Sequence, residues 1–417
     1  MAKQRESGNN LVKRATAGSA ILLSFIVALE IVIMISPFAL FFYSVFNPFL
    51  LALNQSPVTR WLTAFFLPHM VVPPNDFLRT IRILGSVFFI AGMAVFLICA
   101  AQVYLGKLLK KATLTGGIYR FIRHPQYLGL AFAALGLAIM WPRLMTLVLL
   151  AIMLFLYYVL AKDEERRMSA RFEESFQAYM RRTGMFMPEV IERLFARRGD
   201  LTRPLNLGRA SLILATLLIV IVGCGFLLRA YTVHSLPIEQ VNGIDVVTIT
   251  GEDIGPAKDL LPSVLADTTV ASKLNHITRN RNHRILAYFI PVDYIMQGMI
   301  ANTGDEWKLF EQHKTIGMIT EYILHPFSHL TEGHAQHMAS MKHDPEMYKS
   351  PVMQRRIIFI DVSTENDGLE TAFDDFNINC ERTPLFFVDT PLHTAEILRV
   401  QDTPAGSGWG TVPTPMF

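Results

Sequence analysis

Four ionisable side chains stand at the ends of two neighbouring apolar runs of sequence. They are Arg123, His124, Glu164 and Glu165. If the runs are helices, the cations stand at a helix N-terminus and the carboxylates at a helix C-terminus, and both positions oppose the helix dipole. Each pair therefore needs opposite charge nearby. Pairing of Arg123 with Glu164 or Glu165 would supply part of it.

The two apolar runs, residues 126–141 and 143–161, predict a helical hairpin. Trp141-Pro142-Arg143 separates them, and a proline beside a charged residue favours a turn at that point. Because the chain turns back, the first helix starts at the face where the second helix ends. The hairpin is thus expected to bring the cations and the carboxylates together.

Two interpretations of these charges stay open at this point. In one, Arg123 and His124 anchor the chain at a membrane interface, and the glutamates begin a solvated helix. In the other, a bound zwitterion lies between the clusters, with its carboxylate at the cationic end and its ammonium at the glutamates. S-adenosylmethionine is such a ligand, since it carries an amino acid head group and a positive sulfonium.

The spacing of these motifs resembles the isoprenylcysteine carboxyl methyltransferase family, which belongs with the phospholipid and methanethiol methyltransferases. The family pattern runs Gly-Pro-Tyr, Arg-His-Pro-x-Tyr-x-Gly, a hairpin, Glu-Glu-x-x-Leu, Phe-Gly, two spaced Tyr and a closing Pro. The matching residues are Gly117, Tyr119, Arg123, His124, Pro125, Tyr127, Gly129, Glu164, Glu165, Phe172, Tyr179 and Pro188. The departures are Ile118 for Pro, Met168 for Leu, Glu173 for Gly and Phe176 for Tyr. The resemblance covers about residues 80–190.

The resemblance implies a methyltransferase that uses S-adenosylmethionine, with the cofactor entering from the cytoplasm and the acceptor from the bilayer. The residues that it implies for cofactor binding are Gly117, Tyr119, Arg123, His124, Pro125, Tyr127, Gly129, Glu164 and Glu165. The residues that it implies for catalysis are Glu165, Arg171 and His124. No metal is expected at this site.

The methyl acceptor is expected to be lipophilic or small, and to react through a carboxylate, a thiol or an amine. Sulfonium is already a good leaving group, so positioning and the exclusion of water carry most of the rate. An anionic acceptor needs no base. A neutral amine or hydroxyl needs a proton taken, and His124 or a glutamate could take it.

The hydrophobic composition predicts an α-helical multi-pass membrane protein. The chain has 417 residues, of which 51% are hydrophobic, and a mean hydropathy of +0.33. Runs long enough to cross a bilayer need about 17–25 residues. About five spans are expected, at residues 18–36 with an apolar continuation to Leu53, 82–105, 126–141, 143–161 and 209–229. A secretory signal is disfavoured because no small-residue cleavage site follows the first run.

The charge distribution predicts an orientation for these spans. Residues 1–229 hold 25 Lys and Arg against 11 Asp and Glu, whereas residues 230–417 hold 13 against 24. Cytoplasmic loops carry the positive excess, so the N-terminus is expected in the cytoplasm and the chain in the plasma (inner) membrane. The basic residues 162–203 favour a helix lying on anionic lipid.

Three domains follow from this topology: a membrane methyltransferase-like domain (1–208), a final transmembrane helix (209–229) and an extracytoplasmic α+β domain (230–417). In the last domain, residues 245–250, 355–362 and 385–390 are strand-like, and residues 305–324 and 331–342 are helix-like. A Gly/Pro-rich tail begins near Thr403. This domain is a candidate surface for a protein partner, and no nucleic-acid partner is expected.

Six of the twelve histidines fall between His313 and His343. His334 and His337 would share one helix face, and three methionines follow closely. Imidazole with thioether suits copper, and imidazole with carboxylate suits zinc, but the spacing fits no known metal motif. The alternative function is therefore a non-catalytic membrane subunit whose outer His-rich domain binds a partner or a metal. The three cysteines form no disulfide framework.

Overall fold

The computed structural model describes residues 47–69, 71–108, 116–195, 206–275, 283–294, 297, 300, 301, 303, 353–363, 378 and 380–403. Within these residues the chain forms two compact units. The helical unit comprises Arg82–Trp141 and Thr146–Gly223. The sheet unit comprises the described residues up to Ile81, Pro142–Met145 and the chain from Cys224 onward. This division reflects packing, whereas the predicted boundaries at residues 208 and 229 reflect membrane-spanning segments.

Four of the described helices are long, with 16 to 39 residues, and four are short, with 7 to 13 residues. They are α1 (Asn47–Gln55), α2 (Asp76–Leu108), α3 (Pro125–Met140), α4 (Leu144–Arg182), α5 (Glu189–Phe195), α6 (Leu207–Ser235), α7 (Ile254–Ala266) and α8 (Thr268–Leu274). Short 3₁₀ turns lie at Arg60–Thr63, Gly117–Arg120 and Gly251–Asp253.

Three of the described helices are long and apolar enough to cross a membrane. They contain the segments Asp76–Gly106, Leu144–Phe172 and Leu207–Ser235. Helix α3 is apolar but shorter. The five predicted spans are therefore not confirmed as a set, and the first of them, at residues 18–36, lies outside the described residues.

The predicted hairpin is confirmed. Helix α3 ends at Met140, Pro142 lies in the turn, and α4 begins at Leu144. The prediction that the second hairpin helix ends at Glu164 and Glu165 is wrong, because α4 runs without a break for 39 residues from Leu144 to Arg182. The apolar run and the first part of the basic segment are thus one helix. It also passes through position 173, where the family pattern has glycine.

Helices α2 and α3 pack closely through glycines. A Cβ atom at Gly92 would lie 2.5 Å from the backbone nitrogen of Ala133 and the carbonyl oxygen of Gly129. A Cβ atom at Gly136 would lie 2.5 Å from the backbone nitrogen of Phe89. Backbone atoms cannot move aside as a flexible side chain can. The start of α3, where His124 stands, is therefore tied to α2 by a contact that admits only glycine.

The turn between α3 and α4 is held by a buried arginine that the sequence did not mark. Arg143 is fully buried, donates to the carbonyl oxygen of Thr63, and lies 4.1 Å from the ring centroid of Phe65. Leu144 donates its backbone N–H to the carbonyl oxygen of Ala64 at 2.9 Å. A second buried arginine, Arg229 of α6, donates to the carbonyl oxygen of Phe65. These contacts all belong to the sheet unit.

The rest of the sheet unit is an α+β fold, as predicted for the C-terminal region. Its strands, in spatial as well as chain order, are β1 (Ile238–Val241), β2 (Ile244–Thr248), β3 (His283–Pro291), β4 (Gln354–Ser363), β5 (Glu381–Pro391) and β6 (Arg399–Asp402). Strands β2 and β3 are parallel, and the other neighbours are antiparallel. Helices α7 and α8 lie on the crossover between β2 and β3, and they contribute Leu261, Val264 and Val270 to the sheet's core.

The three predicted strand-like runs are confirmed as β2, β4 and β5. Strands β1, β3 and β6 were missed. The helix-like stretches at 305–324 and 331–342, the six histidines of residues 313–343 and the tail beyond Thr403 lie outside the described residues.

We expect Gly92→Ala to lower the free energy of unfolding by about 1–3 kcal/mol, because its Cβ would overpack the α2–α3 contact. Gly223→Ala in α6 is the matched control, since nothing lies within 4 Å of a Cβ at that position. Alanine there should leave stability unchanged or raise it by up to about 1 kcal/mol. Equilibrium unfolding in mixed detergent micelles measures both, and equal effects would contradict the close approach.

Candidate active site

The candidate site lies where α3 begins and α4 passes beside it. His124 is the residue before α3, and Pro125 occupies the first helical position, where the missing proline N–H costs nothing. Glu164 and Glu165 lie on α4, just past the middle of the helix. The two predicted clusters do meet, because the hairpin returns to its starting face.

The segment just after α4, residues 183–186, fixes Arg123 and His124 through backbone contacts. We call this segment the strap. Ile122 forms an isolated parallel β-bridge with Gly184. Arg123 donates its N–H to the carbonyl oxygen of Gly184 at 2.9 Å, and His124 donates its N–H to that of Met185 at 3.1 Å. The chain just after α4 therefore runs alongside the chain just before α3, and it holds both side chains in register with the glutamates.

The predicted pairing of Arg123 with a glutamate is confirmed. Arg123 Nε lies 2.5 Å from Glu165 Oε1, and the two side chains are only 8% and 11% exposed. Arg123 Nη1 also donates to the carbonyl oxygens of Thr183 and, at 3.3 Å, Met180. A buried ion pair needs such additional hydrogen bonds to offset its desolvation. This arginine thus ties α3, α4 and the strap together.

His124 is buried between both carboxylates but is incompletely hydrogen-bonded. Its Nδ1 lies 3.4 Å from Glu164 Oε2, and its Nε2 lies 3.6 Å from Glu165 Oε1. These are electrostatic contacts, since neither ring nitrogen has a well-formed hydrogen bond among the described residues. Burial lowers the pKa of His124, but Glu164 and Glu165 outweigh burial, so the pKa is raised. The imidazole keeps hydrogen-bonding capacity that the described residues do not fill.

Two tyrosines support the start of the site. Tyr179 donates its hydroxyl to the carbonyl oxygen of Tyr119 at 2.6 Å, and Tyr119 donates to Gln126 Oε1 at 3.1 Å. Burial raises the pKa of Tyr179 to about 12 and raises that of Tyr119 further. Both phenols therefore stay neutral and act as hydrogen-bond donors.

Gly117 adopts a φ of +62°, and a Cβ there would lie 2.6 Å from Gln102 Nε2.

Aromatic rings lead from the charged cluster into the apolar part of the hairpin. His124 stacks on Tyr127 with 5.6 Å between centroids, and Tyr127 stacks on Tyr157 at 5.4 Å. Phe186 approaches the other side of His124 at 6.0 Å. We call the sequence His124, Tyr127 and Tyr157 the aromatic column.

Glu192 was not predicted as a site residue, yet it holds the strap in place. Its Oε1 accepts the backbone N–H groups of Met185 at 2.7 Å and Phe186 at 3.0 Å. Glu192 also lies in the first turn of α5, where a carboxylate is favoured by the helix dipole. An acidic residue four positions after Pro188 was the available signal, but nothing local linked it to His124.

The other predicted site residues lie at different distances from the cluster. Gly129 faces α2, where a Cβ would lie 2.9 Å from the carbonyl oxygen of Gly92 and the nitrogen of Phe96. Arg171 is exposed, and its guanidinium lies 5.3 Å from the ring centroid of Phe172. The structure thus brings Arg123, His124, Tyr127, Glu164 and Glu165 together, whereas Arg171 does not join them. Among the described residues, no group of three His, Cys, Asp or Glu is placed to hold a metal.

The candidate site is thus a cluster of two cationic side chains and two carboxylates between the apolar helices α3 and α4. Residues 81–175 match the phospholipid methyltransferase family. This segment contains Arg123, His124 and both glutamates, and it is under a quarter of the 417 residues. No curated protein and no solved structure matches the chain. The family match confirms the resemblance found in the sequence and, with the apolar helices, indicates a membrane protein with methyltransferase activity.

We expect Arg123→Ala to cost about 3–5 kcal/mol of stability, because it leaves the buried Glu165 without its partner. In a double-mutant cycle, adding Glu165→Ala should recover part of this loss. The matched control is the pair Arg79 and Asp76, 3.2 Å apart but 60% and 94% exposed, whose coupling should stay below about 1 kcal/mol. Unfolding in mixed micelles measures both cycles. Equal coupling energies in the two pairs would contradict a buried ion pair.

The raised pKa of His124 predicts a pH dependence of stability. Protonated His124 is favoured by the two carboxylates, so its contribution is complete below the ordinary histidine pKa of about 6.5. It is lost as the pH rises through the higher folded pKa. The stability difference between the wild type and His124→Gln should therefore shrink as the pH rises above about 6.5. The matched control is His234→Gln, because His234 is exposed. A stability difference for His124→Gln that grows with pH would refute a protonated His124 between the two carboxylates.

Proposed function

We propose that this chain is an S-adenosylmethionine-dependent membrane methyltransferase that modifies a lipophilic or small acceptor through a carboxylate, thiol or amine. One observation carries the proposal. His124 is buried between Glu164 and Glu165, and no described residue forms a good hydrogen bond with its ring nitrogens. It lies inside the segment that matches the phospholipid methyltransferase family. A purely structural histidine would be expected to have its ring nitrogens satisfied.

The donor set of the site fits the cofactor's amino acid head group. Glu164 is 43% exposed and retains carboxylate oxygen for an ammonium or sulfonium group. His124 is charged toward acid pH and can donate to a carboxylate. Arg123 is largely occupied by Glu165 and by backbone carbonyls, so its proposed role is to position Glu165 and the strap. Glu164 and His124 are therefore the proposed contacts to the head group.

When bound, S-adenosylmethionine supplies a methyl group on a sulfonium that leaves without assistance. The residues of the chain then have two tasks. The aromatic column and the packed hairpin exclude water from the reacting atoms. If the acceptor is a neutral amine, a carboxylate oxygen of Glu164 takes its proton, whereas a carboxylate or thiolate acceptor needs no such step. Glu165 holds Arg123 and His124 in place for either case.

The proposed location is the cytoplasmic face of the plasma (inner) membrane. Its support is the basic excess of residues 1–229, which favours cytoplasmic placement of the loops that carry the cluster. In this orientation the cofactor arrives from water and a lipophilic acceptor from the bilayer. The sheet domain is proposed to lie outside the cytoplasm, where a protein partner could reach it.

Calorimetric titration of S-adenosylmethionine into the purified chain in detergent tests the proposal. We expect His124→Gln and Glu164→Gln each to weaken binding about tenfold or more, because each removes a charge-assisted contact. The matched control is Glu174→Gln, an exposed carboxylate on the same helix, which should bind like the wild type. Absence of binding by well-folded wild-type protein would refute the proposed function.

A further inference from the structure

Arg382 is a buried arginine of the sheet unit whose side chain is incompletely paired. It is the second residue of β5 and only 5% exposed, and neither Nε nor Nη1 has a hydrogen-bond partner among the described residues. A guanidinium stays protonated inside proteins, so burial does not remove its charge. Buried charges need pairing and hydrogen bonds, because an uncompensated one is strongly destabilising. Arg382 therefore needs a partner that the described residues do not supply.

A second arginine on the same face of the sheet shows what such a partner looks like. Arg382 is paired with Val362, and Arg356 lies six residues before Val362 on β4, so both arginines lie on the face turned away from α7 and α8. Arg356 Nε and Nη2 lie 2.7 and 2.8 Å from the carboxylate oxygens of Asp389, and its Nη1 lies 2.6 Å from Gln297 Oε1. Arg356 is thus satisfied by an oxyanion that binds side-on and by one further oxygen.

Two further arginines lie near Arg382. Arg229 of α6 is only 4% exposed, and it is close enough to Arg382 for the two charges to interact. Burial raises the pKa of the Cys380 thiol, whereas the positive charges of Arg382 and Arg60 act in the opposite direction. Both of these arginines therefore lie near the thiol. We call Arg60, Arg229 and Arg382 the arginine cluster.

The hydrogen bonds of Arg229 and Arg60 to backbone oxygens do not remove the charge of the cluster. Arg229 donates to the carbonyl oxygen of Phe65, and Arg60 Nε donates to that of Asn54 at 2.9 Å. These acceptors are neutral, so they orient the guanidinium groups without cancelling their charge. A water molecule at Arg382 could accept its N–H groups, but it would leave the positive charge in place as well. A ligand with negative charge and several oxygens meets both needs.

We propose that the arginine cluster binds a phosphate group, with Arg382 donating hydrogen bonds to its oxygens. A phosphate carries up to about two negative charges and several strong acceptor oxygens, which suits a group of cations better than a single carboxylate does. The planar guanidinium also matches the geometry of phosphate. The site belongs to the sheet unit and does not rest on the proposed function.

The position of the cluster allows two sources for this phosphate. Arg229 lies six residues, or about 9 Å of helix, before the end of α6 at Ser235. Helix α6 is long and apolar enough to cross a membrane, so its end is expected near the bilayer surface. At that level the phosphate can be a soluble ion or the head group of an anionic lipid.

Arg382→Met tests the site because it removes the charge and keeps a side chain of similar length. Arg382→Lys keeps the charge in a less suitable shape. Arg399→Met is the matched control, since Arg399 is exposed on β6 of the same sheet. Thermal unfolding of the full chain in a non-ionic detergent would be followed as inorganic phosphate is added, against sodium chloride at equal ionic strength. A second series adds phosphatidic acid or phosphatidylcholine to the micelles.

Without phosphate, Arg382→Met should unfold at the same temperature as the wild type or higher, because it removes an uncompensated buried charge. Phosphate should raise the unfolding temperature of the wild type and of Arg399→Met, and Arg382→Met should lose at least half of this shift. Arg382→Lys should keep more of the shift than Arg382→Met. A shift with inorganic phosphate identifies a soluble ion as sufficient, whereas a shift with phosphatidic acid alone identifies a lipid head group.

Phosphorus analysis of the purified proteins precedes the titrations. Phosphorus that the wild type retains and Arg382→Met lacks would itself be the expected binding.

Two results from phosphorus-free proteins would overturn the inference. One is a clear loss of stability of Arg382→Met without phosphate, which would mean that the guanidinium has its partner inside the protein. The other is a wild type that responds to neither source of phosphate, or a response that Arg382→Met keeps in full.

Discussion

The buried ion pair between Arg123 and Glu165 is the constraint on which the helical unit depends. Its partners are 42 residues apart in the chain, and either charge alone would be destabilising, because both side chains are buried away from water. The pair is tolerable only if α3 and α4 form a hairpin and the strap supplies carbonyl oxygens. The ion pair therefore forms only when the hairpin and the strap are in place, and it stabilises both of them in turn.

This constraint divides the charged residues by role. Arg123 and Glu165 satisfy each other and the strap, so they define the geometry. Among the described residues, the ring nitrogens of His124 have no well-formed hydrogen bond, and Glu164 is 43% exposed. Both stand in a setting that the first pair has already fixed. A binding site works best when its ligand contacts are preorganised by neighbours that do not themselves move. In this sense the structural pair and the proposed ligand-binding pair are adjacent but different.

Much of this site could be predicted because its signals are local. The Pro142 turn and the two flanking apolar runs predict the hairpin, and the hairpin predicts the pairing of Arg123 with a glutamate. The contacts that were missed join distant segments through single atoms. Glu192 acts on backbone N–H groups, Arg143 acts on the carbonyl oxygen of Thr63, and neither leaves a periodic pattern in the sequence.

The end of α4 was predicted wrongly for a different reason. The change from apolar to charged residues near position 162 suggested the end of a helix, but a helix ends where its backbone hydrogen bonds end. Beyond that position, Asp163 pairs with Arg166 at 2.6 Å and with Arg167 at 3.0 Å, so the helix continues with a solvated face.

The continuity of α4 also explains why the charged cluster lies where it does. One rigid helix carries Tyr157 in its apolar part and Glu164 and Glu165 just after the change to charged residues. A ligand that enters from water can be held by the charged end, and a ligand that enters from lipid can be held by the apolar end. Because no hinge separates the two parts, both ligands would be held at a fixed distance, as the proposed methyl transfer requires.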